Sequence, residues 1–231
     1  MSKRPRFDAV CFDCDSTLTS IEGIDELADR AGCRPQIAGL TEAAMNGLVS
    51  LEEVYAKRLD IVRPARSALA WLAERYADEK VSGAAETIAT LKRHGKAVYV
   101  ITGGLLQAVA EFAWSLGFAP EQVYAVKVYF DGAGTYQGFD TSSPLCRSNG
   151  KAEICRKLAA KHGNIAMIGD GLTDLAARAA GAYVVGYGGV AHREVMRQKA
   201  DCYVAAPSLT ATLPALLTEE ELARAMGHRL P

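Results

Sequence analysis

Four short segments of this sequence carry residue types that can transfer a phosphoryl group. They are Asp13-Cys14-Asp15-Ser16-Thr17, Thr102-Gly103-Gly104, Lys151 and Gly169-Asp170-Gly171-Leu172-Thr173-Asp174. An anionic carboxylate can attack phosphorus and form an aspartyl phosphate. A second carboxyl group can protonate the leaving alkoxide and then activate water. Asp13 is therefore the candidate nucleophile, and Asp15 is the candidate acid and base.

The same segments contain ligands for a hard cation. Mg²⁺ prefers oxygen ligands, which the carboxylates of Asp13 and Asp170 and the carbonyl of Asp15 would supply. Asp174 adds a further carboxylate to this group. Gathered at one edge of a sheet, these acids would repel one another, and a bound cation would remove that repulsion. The pattern predicts a Mg²⁺ site.

A transferred phosphoryl group also needs hydrogen-bond donors. The hydroxyl of Thr102, the N–H of Gly103 and the ammonium of Lys151 are the candidates. Lys151 is predicted in the first turn of a helix, where the helix dipole disfavours a cation. A phosphate bound beside it would explain that placement.

Short apolar strands position three of the four segments. The sequence predicts strands over Phe7–Phe12, Ala97–Ile101 and Ile165–Ile168, each ending just before a candidate segment. Open α/β sheets bind ligands at the carboxyl ends of their strands. Strands alternate with helices along the chain, which predicts an α/β fold with a doubly wound, mostly parallel, Rossmann-like sheet.

Residues between the first two predicted strands have helical patterns only. Ser50 and Glu53 form a capping-box pattern at the start of one of these helices. We therefore expect a catalytic core made of residues 1–19 and 81–231, with residues 20–80 inserted as a small helical cap. Farther on, Asp131-Gly132-Ala133-Gly134 predicts a hairpin turn.

Composition limits the possible partners. The chain has 231 residues, 26 Lys and Arg against 27 Asp and Glu, and 49% hydrophobic residues. This balance favours neither a nucleic-acid nor a membrane partner. No targeting segment is visible, and the six cysteines read as reduced thiols, so we expect a cytoplasmic protein. We interpret Cys11 and Cys14 as semi-buried thiols near a strand end, not as a metal or redox pair.

The four segments together resemble the motifs of the haloacid dehalogenase superfamily of aspartate-nucleophile phosphatases. Asp13 begins a segment similar to its first motif, and Thr102 is similar to the second. Lys151 resembles the third, and Asp170 with Asp174 the fourth. The helical insertion resembles the small four-helix cap of that superfamily.

Longer segments resemble the phosphoserine phosphatase family within it, from Phe7 to about Leu217. They are Ser20-Ile21-Glu22-Gly23-Ile24-Asp25-Glu26-Leu27-Ala28, Lys57-Arg58-Leu59, Gly169-Asp170-Gly171-x-Thr173-Asp174 and Gly186-Tyr187-Gly188-Gly189. Thr102 stands where many members have Ser, which keeps the hydroxyl. Leu51 stands where an aromatic lid residue can occur.

This resemblance implies Mg²⁺-dependent hydrolysis of L-phosphoserine to L-serine and phosphate, the last step of serine biosynthesis. It implies that Asp13 is the nucleophile and Asp15 the acid and base, and that the metal binds at Asp13, Asp15 and Asp170. It places the phosphate near Thr102, Gly103, Lys151 and Thr173. Glu22 would bind the substrate ammonium and Arg58 its carboxylate. Asp174 would orient these residues without contacting the substrate. A small-molecule substrate and a monomer or homodimer are expected.

Other functions fit parts of the pattern. A phosphotransferase, or a phosphatase for another amino-alcohol phosphate, would use the same motifs. A phospho-aspartate receiver module also uses an aspartate, a threonine and a lysine around Mg²⁺, but needs neither Asp15 nor a cap. Gly186-x-Gly188-x-x-Ala191 matches a dinucleotide fingerprint, but the acidic residue expected about 20 positions later is missing, which favours a tight turn.

Overall fold

A six-stranded sheet forms the centre of the computed structural model, which describes residues 7–45 and 48–227. The strands of the chain are β1 Ala9–Phe12, β2 Ala97–Leu105, β3 Val123–Val126, β4 Val128–Phe130, β5 Tyr136–Phe139, β6 Ile165–Gly169, β7 Tyr183–Tyr187 and β8 Cys202–Val204. The sheet order is β3-β2-β1-β6-β7-β8, and β4 and β5 form a separate hairpin.

Strand β1 lies at the middle of the sheet and carries the candidate nucleophile just beyond its end. Ala9 pairs with Ala97 on β2 and with Ile165 on β6, both in parallel register. Every residue of β1 and β6 is buried, as expected for strands covered on both faces. All pairings in the central sheet are parallel, which confirms the predicted α/β fold class.

Helices cover the sheet and fill the insertion after β1. They are α1 Gly23–Arg30, α2 Arg34–Met45, α3 Leu51–Val62, α4 Arg66–Asp78, α5 Ala84–Arg93, α6 Leu106–Ser115, α7 Gly150–His162, α8 Leu172–Leu175, α9 Glu194–Lys199, α10 Leu213–Leu216 and α11 Glu219–Gly227. Within the described part of the chain, none of these helices has the length and apolarity that a membrane crossing requires.

Helices α1–α4 form the helical insertion between β1 and β2. The chain enters and leaves it side by side, because Thr19 and Lys80 form an antiparallel bridge and the Ser20 N–H donates to the Glu79 carbonyl at 2.8 Å. The insertion packs on the sheet domain where α4 meets α6, with the ring centroids of Tyr76 and Phe112 5.6 Å apart.

Local sequence signals set the ends of α3. Ser50 accepts a hydrogen bond from the Glu53 N–H, and the Glu53 carboxylate accepts one from the Ser50 N–H, so the predicted capping box is confirmed. The helix ends at Arg63, whose φ of 43° is left-handed, directly before Pro64. The predicted hairpin is also confirmed, with antiparallel pairing of β4 and β5.

Some elements differ from the sequence-based predictions. Strand β2 continues four residues past Ile101. The sequence pattern predicts one helix over residues 173–180, whereas the structure has α8 followed by a 3-10 turn at Ala176–Ala180. Strands β3 and β8 are not anticipated by the sequence analysis. Both are outer strands of three or four residues, too short for a periodic pattern.

Candidate active site

Both carboxylate oxygens of Asp13 contact neighbouring groups that fix the side chain. Asp13 follows the last residue of β1, and its own N–H donates to the Ile168 carbonyl at 2.9 Å. Oδ1 accepts a hydrogen bond from the Cys14 N–H at 2.8 Å, and Oδ2 lies 2.8 Å from Nζ of Lys151. The side chain is fixed at the edge of a buried strand, with limited access to solvent.

Asp15 is half-buried and lines the same cavity as Asp13. Its Oδ1 is buried and has no hydrogen-bond partner among the residues that the structure describes. Burial raises the pKa of Asp15 to about 7, and the negative charge of Asp13 acts in the same direction. A carboxyl group in this environment favours the protonated form, as a proton donor to a leaving group requires.

The last residues of β2, where its register with β3 shifts between Ile101 and Leu105, present hydrogen-bond donors. Thr102 is 2% exposed, and its hydroxyl oxygen accepts a hydrogen bond from the Gly104 N–H at 3.1 Å. The hydroxyl proton of Thr102 therefore remains available to a ligand. Gly103 lies between these residues on the same cavity wall.

Lys151 joins two carboxylates at the start of α7. Its Nζ lies 2.8 Å from Oδ2 of Asp13 and 2.7 Å from Oδ1 of Asp174. Burial lowers the pKa of Lys151, but the two carboxylates outweigh burial, and the net pKa is above its ordinary value. The ammonium is therefore fixed and charged beside the candidate nucleophile.

Asp174 acts on its neighbours from a fully buried position. Its Oδ2 accepts a hydrogen bond from the Gly171 N–H at 3.0 Å, so both of its oxygens are engaged. Burial raises its pKa to about 7, an effect that Lys151 opposes. A Cβ at Gly169 would lie 2.1 Å from Cγ of Asp174, so close packing requires glycine at that position.

Asp170 follows β6 and faces Asp13 across the sheet edge. Burial and the charge of Asp13 raise its pKa, whereas Arg193 lowers it through a 2.7 Å contact from Nε to Oδ2. Arg193 was not predicted as a site residue. It stands just before α9, in a stretch without any motif, so the sequence offered no signal for it.

The acidic cluster fits a divalent cation. Asp13, Asp170 and Asp174 each place a carboxylate oxygen within 4.8 Å of the others. Asp13 and Asp170 are 8% and 5% exposed, whereas Asp174 is fully buried, so Asp13 and Asp170 are the more accessible carboxylates for an ion. Several buried acids within a few ångströms of one another repel, and a cation at this point offsets that repulsion.

Glu22 lies at the N-cap of α1 and points into the same cavity. Its Oε1 accepts a hydrogen bond from the Ser16 hydroxyl at 2.7 Å and lies 3.8 Å from an Arg193 nitrogen. Burial raises the pKa of Glu22 well above its ordinary value, as do the charges of Asp15 and Asp170. Ser16 holds a left-handed backbone with φ of 52° in making this contact.

Arg58, on α3, is a buried cation that makes no ion pair with the described acidic side chains. It is 8% exposed, and its Nε has no hydrogen-bond partner within the described ranges. One terminal nitrogen lies 3.5 Å from the Thr41 hydroxyl oxygen. Burial lowers the pKa of Arg58. A buried guanidinium with unused donors is suited to an anionic ligand.

One cavity of about 630 Å³ brings all the predicted site residues together. Thr173 lies on its wall with the others, as do Tyr55, Tyr76 and Arg193, which the sequence analysis did not single out. Tyr55 lies three residues before Arg58, so helical spacing was an available signal for it. Leu51 begins α3, but its side chain is outside the described part of the structure.

Comparison with known proteins identifies the family. The model of the haloacid dehalogenase-like hydrolases matches residues 7–181. A phosphoserine phosphatase of Drosophila melanogaster is 38% identical over 198 residues, which cover 84% of this chain and 73% of that protein. A human phosphoserine phosphatase is 33% identical, with 85% of this chain and 88% of that protein covered. The chain belongs to the phosphoserine phosphatase family of haloacid dehalogenase-like hydrolases.

A solved structure agrees with this family. A phospho-aspartyl intermediate analogue of phosphoserine phosphatase superposes with a TM-score of 0.78 at 26% identity, covering 92% of this chain and 100% of that one. Membership of this hydrolase family argues against the receiver-module alternative. The dinucleotide alternative also fails, since α9 begins only at Glu194 and no helix opens at Gly186–Gly189.

Proposed function

We propose that this protein hydrolyses L-phosphoserine to L-serine and phosphate, through a phosphoryl group carried on Asp13. The proposal rests on one observation. A candidate nucleophile and two charged side chains, suited to the two ends of an amino acid, line the same cavity. Asp13, Glu22 and Arg58 all line it, and Nε of Arg58 has no hydrogen-bond partner among the described residues. The reaction is the last step of serine biosynthesis.

In the first step, a carboxylate oxygen of Asp13 attacks phosphorus, and the bond from phosphorus to the seryl oxygen breaks. Asp15 gives its proton to the departing seryl oxygen, which leaves as L-serine. Thr102, Gly103 and Lys151 donate to the phosphoryl oxygens while charge accumulates on them. Asp13 then carries the phosphoryl group as an acyl phosphate.

In the second step, Asp15 is a carboxylate and accepts a proton from a water molecule. The water oxygen attacks phosphorus, the bond between phosphorus and Asp13 breaks, and the Asp13 carboxylate is restored. Asp15 is protonated again for the next turnover. One residue thus serves as acid and then as base, which its place two positions after the nucleophile supports.

Mg²⁺ is the proposed cofactor. Asp13 and Asp170 would hold it through carboxylates and Asp15 through its carbonyl, an oxygen set of the kind this cation prefers. When bound, Mg²⁺ would neutralise charge on the phosphoryl group. Asp174 would orient Lys151 through the 2.7 Å contact of its Oδ1 with Nζ, and its side chain is fully buried.

The ammonium and the carboxylate of the substrate would each bind a side chain of opposite charge. Glu22 would bind the substrate ammonium, and Arg58 would bind the carboxylate through parallel N–H donors. Both belong to residues 20–80, which we propose as a cap on a core of residues 1–19 and 81–231. The cytoplasm is the proposed location, and a monomer or homodimer is the proposed assembly.

The test compares phosphoserine with phosphoethanolamine, which lacks the carboxylate. Phosphate release with Mg²⁺ would be measured for wild type, Glu22→Gln and Arg58→Ala. We expect wild type to prefer phosphoserine, and Arg58→Ala to lower kcat/KM for phosphoserine by about 10²-fold or more, because an unpaired charge is left in the site. In Arg58→Ala, kcat/KM for phosphoethanolamine should change little.

The exposed Lys57→Ala is the matched control, since it removes a neighbouring cation on the same helix and should leave both substrates unchanged. Equal losses for both substrates in Arg58→Ala, or a wild-type preference for phosphoethanolamine, would refute phosphoserine as substrate. Adding an alcohol acceptor and searching for its phosphate ester tests the phosphotransferase alternative.

A further inference from the structure

Helix α3 is attached to both segments that carry the proposed phosphate ligands. The Tyr55 hydroxyl donates to the Gly103 carbonyl at 2.8 Å. The Glu52 carboxylate accepts hydrogen bonds from the N–H of Ser148 at 2.9 Å and from its hydroxyl at 2.8 Å. We propose that Tyr55 is a positioning residue that sets the orientation of the Gly103–Gly104 segment of β2 toward the phosphoryl group, with Glu52 as a second attachment.

The Tyr55 hydroxyl fixes one end of a peptide group whose other end is fixed by Thr102. The Gly103 carbonyl and the Gly104 N–H belong to the same planar unit. Tyr55 donates to the carbonyl, and the Gly104 N–H donates to the Thr102 hydroxyl at 3.1 Å. Two successive glycines have wide backbone freedom. Without Tyr55 this peptide would be restrained from one side only, and the adjacent Gly103 N–H would lose its fixed direction.

The surroundings of Tyr55 make it a rigid anchor. The residue is 5% exposed, and its ring packs against Phe139 with centroids 5.3 Å apart. An aromatic side chain has few rotatable bonds, so packing of the ring also places the hydroxyl. Tyr55 is therefore held by the hairpin strand β5 on one side and contacts the Gly103–Gly104 segment on the other.

Tyr55 also connects the two ends of the proposed substrate. Arg58 lies three residues later on the same face of α3, with its guanidinium carbon 5.9 Å from the centroid of the Tyr55 ring. The helix that would bind the substrate carboxylate is thus bonded directly to the segment of β2 that would bind the phosphate.

Glu52 attaches α3 on the other flank of the site. Ser148 lies just before Asn149, the N-cap of α7, and α7 carries Lys151. The contact is exposed to solvent and is therefore the weaker of the two. Tyr55 carries the inference, and Glu52 extends it to the lysine segment.

Tyr55→Phe is the direct test, because it removes the hydroxyl and keeps the packed ring. Tyr129→Phe is the matched control, since Tyr129 is 43% exposed on β4. The assays use phosphoserine and p-nitrophenyl phosphate, which has no amino-acid ends. Because the Gly103 N–H would serve any phosphoryl group, we expect kcat to fall about five- to tenfold for both substrates in Tyr55→Phe only.

A purely structural role would lower thermal stability and leave kcat unchanged well below the unfolding temperature. That result would overturn the proposal, as would a loss confined to KM for phosphoserine, which would place the action of Tyr55 on Arg58 alone. The proposal rests on the proposed function for the role of Gly103. If wild type cleaves p-nitrophenyl phosphate but not phosphoserine, the substrate assignment fails and the Tyr55 test still stands.

Hydrogen–deuterium exchange supplies a readout independent of activity. Tyr55→Phe should exchange faster than wild type and Tyr129→Phe at residues 103–105 and in α3. Unchanged exchange at residues 103–105 would overturn the proposal even if α3 alone became more mobile. The experiment needs no substrate, so it decides the question for a chain of any activity.

Discussion

Nζ of Lys151 lies 2.8 Å from Oδ2 of Asp13, the carboxylate oxygen opposite the one held by the Cys14 N–H. The same nitrogen lies 2.7 Å from Asp174. One cation therefore orients the proposed nucleophile and is itself oriented by a buried carboxylate. A phosphoryl group on Asp13 would form within reach of this ammonium.

Replacing Lys151 with Met should reduce kcat by about 10²–10³-fold, because a fixed charge facing the phosphoryl group is removed. The free energy of unfolding, measured with urea, should also fall by about 3 kcal/mol, because two buried carboxylates lose their partner. The control is Lys157→Met on the same helix, where the side chain is 64% exposed. A Lys151→Met protein with normal kcat would contradict the assigned role.

Asp15→Asn should separate the two chemical steps when p-nitrophenyl phosphate is the substrate. Nitrophenolate leaves without a proton, so the first step persists, but no base remains to activate water. We expect a burst of about one nitrophenolate per protein, followed by a stall, and a phosphoryl adduct in the intact mass. Asp13→Asn should give no burst, and steady turnover of Asp15→Asn would exclude the base role.

Magnesium should raise the thermal unfolding midpoint of the wild-type protein, because binding to the folded state alone stabilises it. In Asp170→Asn, the Mg²⁺ concentration needed for the same rise in midpoint should be about tenfold higher or more. Asp29→Asn, an exposed change remote from the cluster, should behave as wild type. Chelated wild-type protein should be inactive and should recover with Mg²⁺; full activity after verified metal removal would refute the requirement.

A buried ion pair far from the cavity predicts a pH-dependent stability. Oε1 of Glu221 on α11 lies 2.7 Å from Nζ of Lys96, with side-chain exposures of 10% and 2%. Burial raises the pKa of Glu221, but hydrogen bonds from Lys96 and the Thr218 N–H outweigh it, so the pKa is lowered. Glu221→Gln should destabilise the fold by about 2 kcal/mol at pH 7.

The sign of the pH dependence follows from the lowered pKa. The stabilisation is complete above the unfolded pKa of about 4.3 and is lost as pH falls through the lower folded pKa. The difference between wild type and Glu221→Gln should therefore shrink below about pH 4. Glu220→Gln, at an exposed neighbouring position, should show little change. A difference that persists unchanged at pH 3 would contradict this account.

The sequence anticipated the sheet edge because three candidate motifs each follow a buried apolar strand. Asp13, Thr102 and Asp170 are placed by the parallel arrangement of β1, β2 and β6, which strand hydrophobicity alone predicts. It could not anticipate Arg193, which reaches Asp170 from a segment without periodicity. That contact depends on the path of the chain after β7, which local patterns do not specify.

The outer elements escaped prediction for a related reason. Strands β3 and β8 are formed by three or four residues that pair with only one neighbour, so tertiary contact selects them over intrinsic preference. The contact of Tyr55 with Gly103 joins residues 48 positions apart. The spacing of three residues between Tyr55 and Arg58 lies within one helical turn, but only the folded structure shows which backbone carbonyl the Tyr55 hydroxyl meets.

The bridge between Thr19 and Lys80 gives the helical insertion the geometry of a cassette on a stem. Since both ends leave the sheet at one point, residues between them can be exchanged or redesigned without changing the pairing of β1 with β2. The chemistry would stay with the strands, and the choice of substrate would travel with the insertion. Grafting a different helical insert at this stem is therefore a route to new phosphate-ester specificities, if the insert keeps a hydroxyl donor to the Gly103 carbonyl in the place of Tyr55.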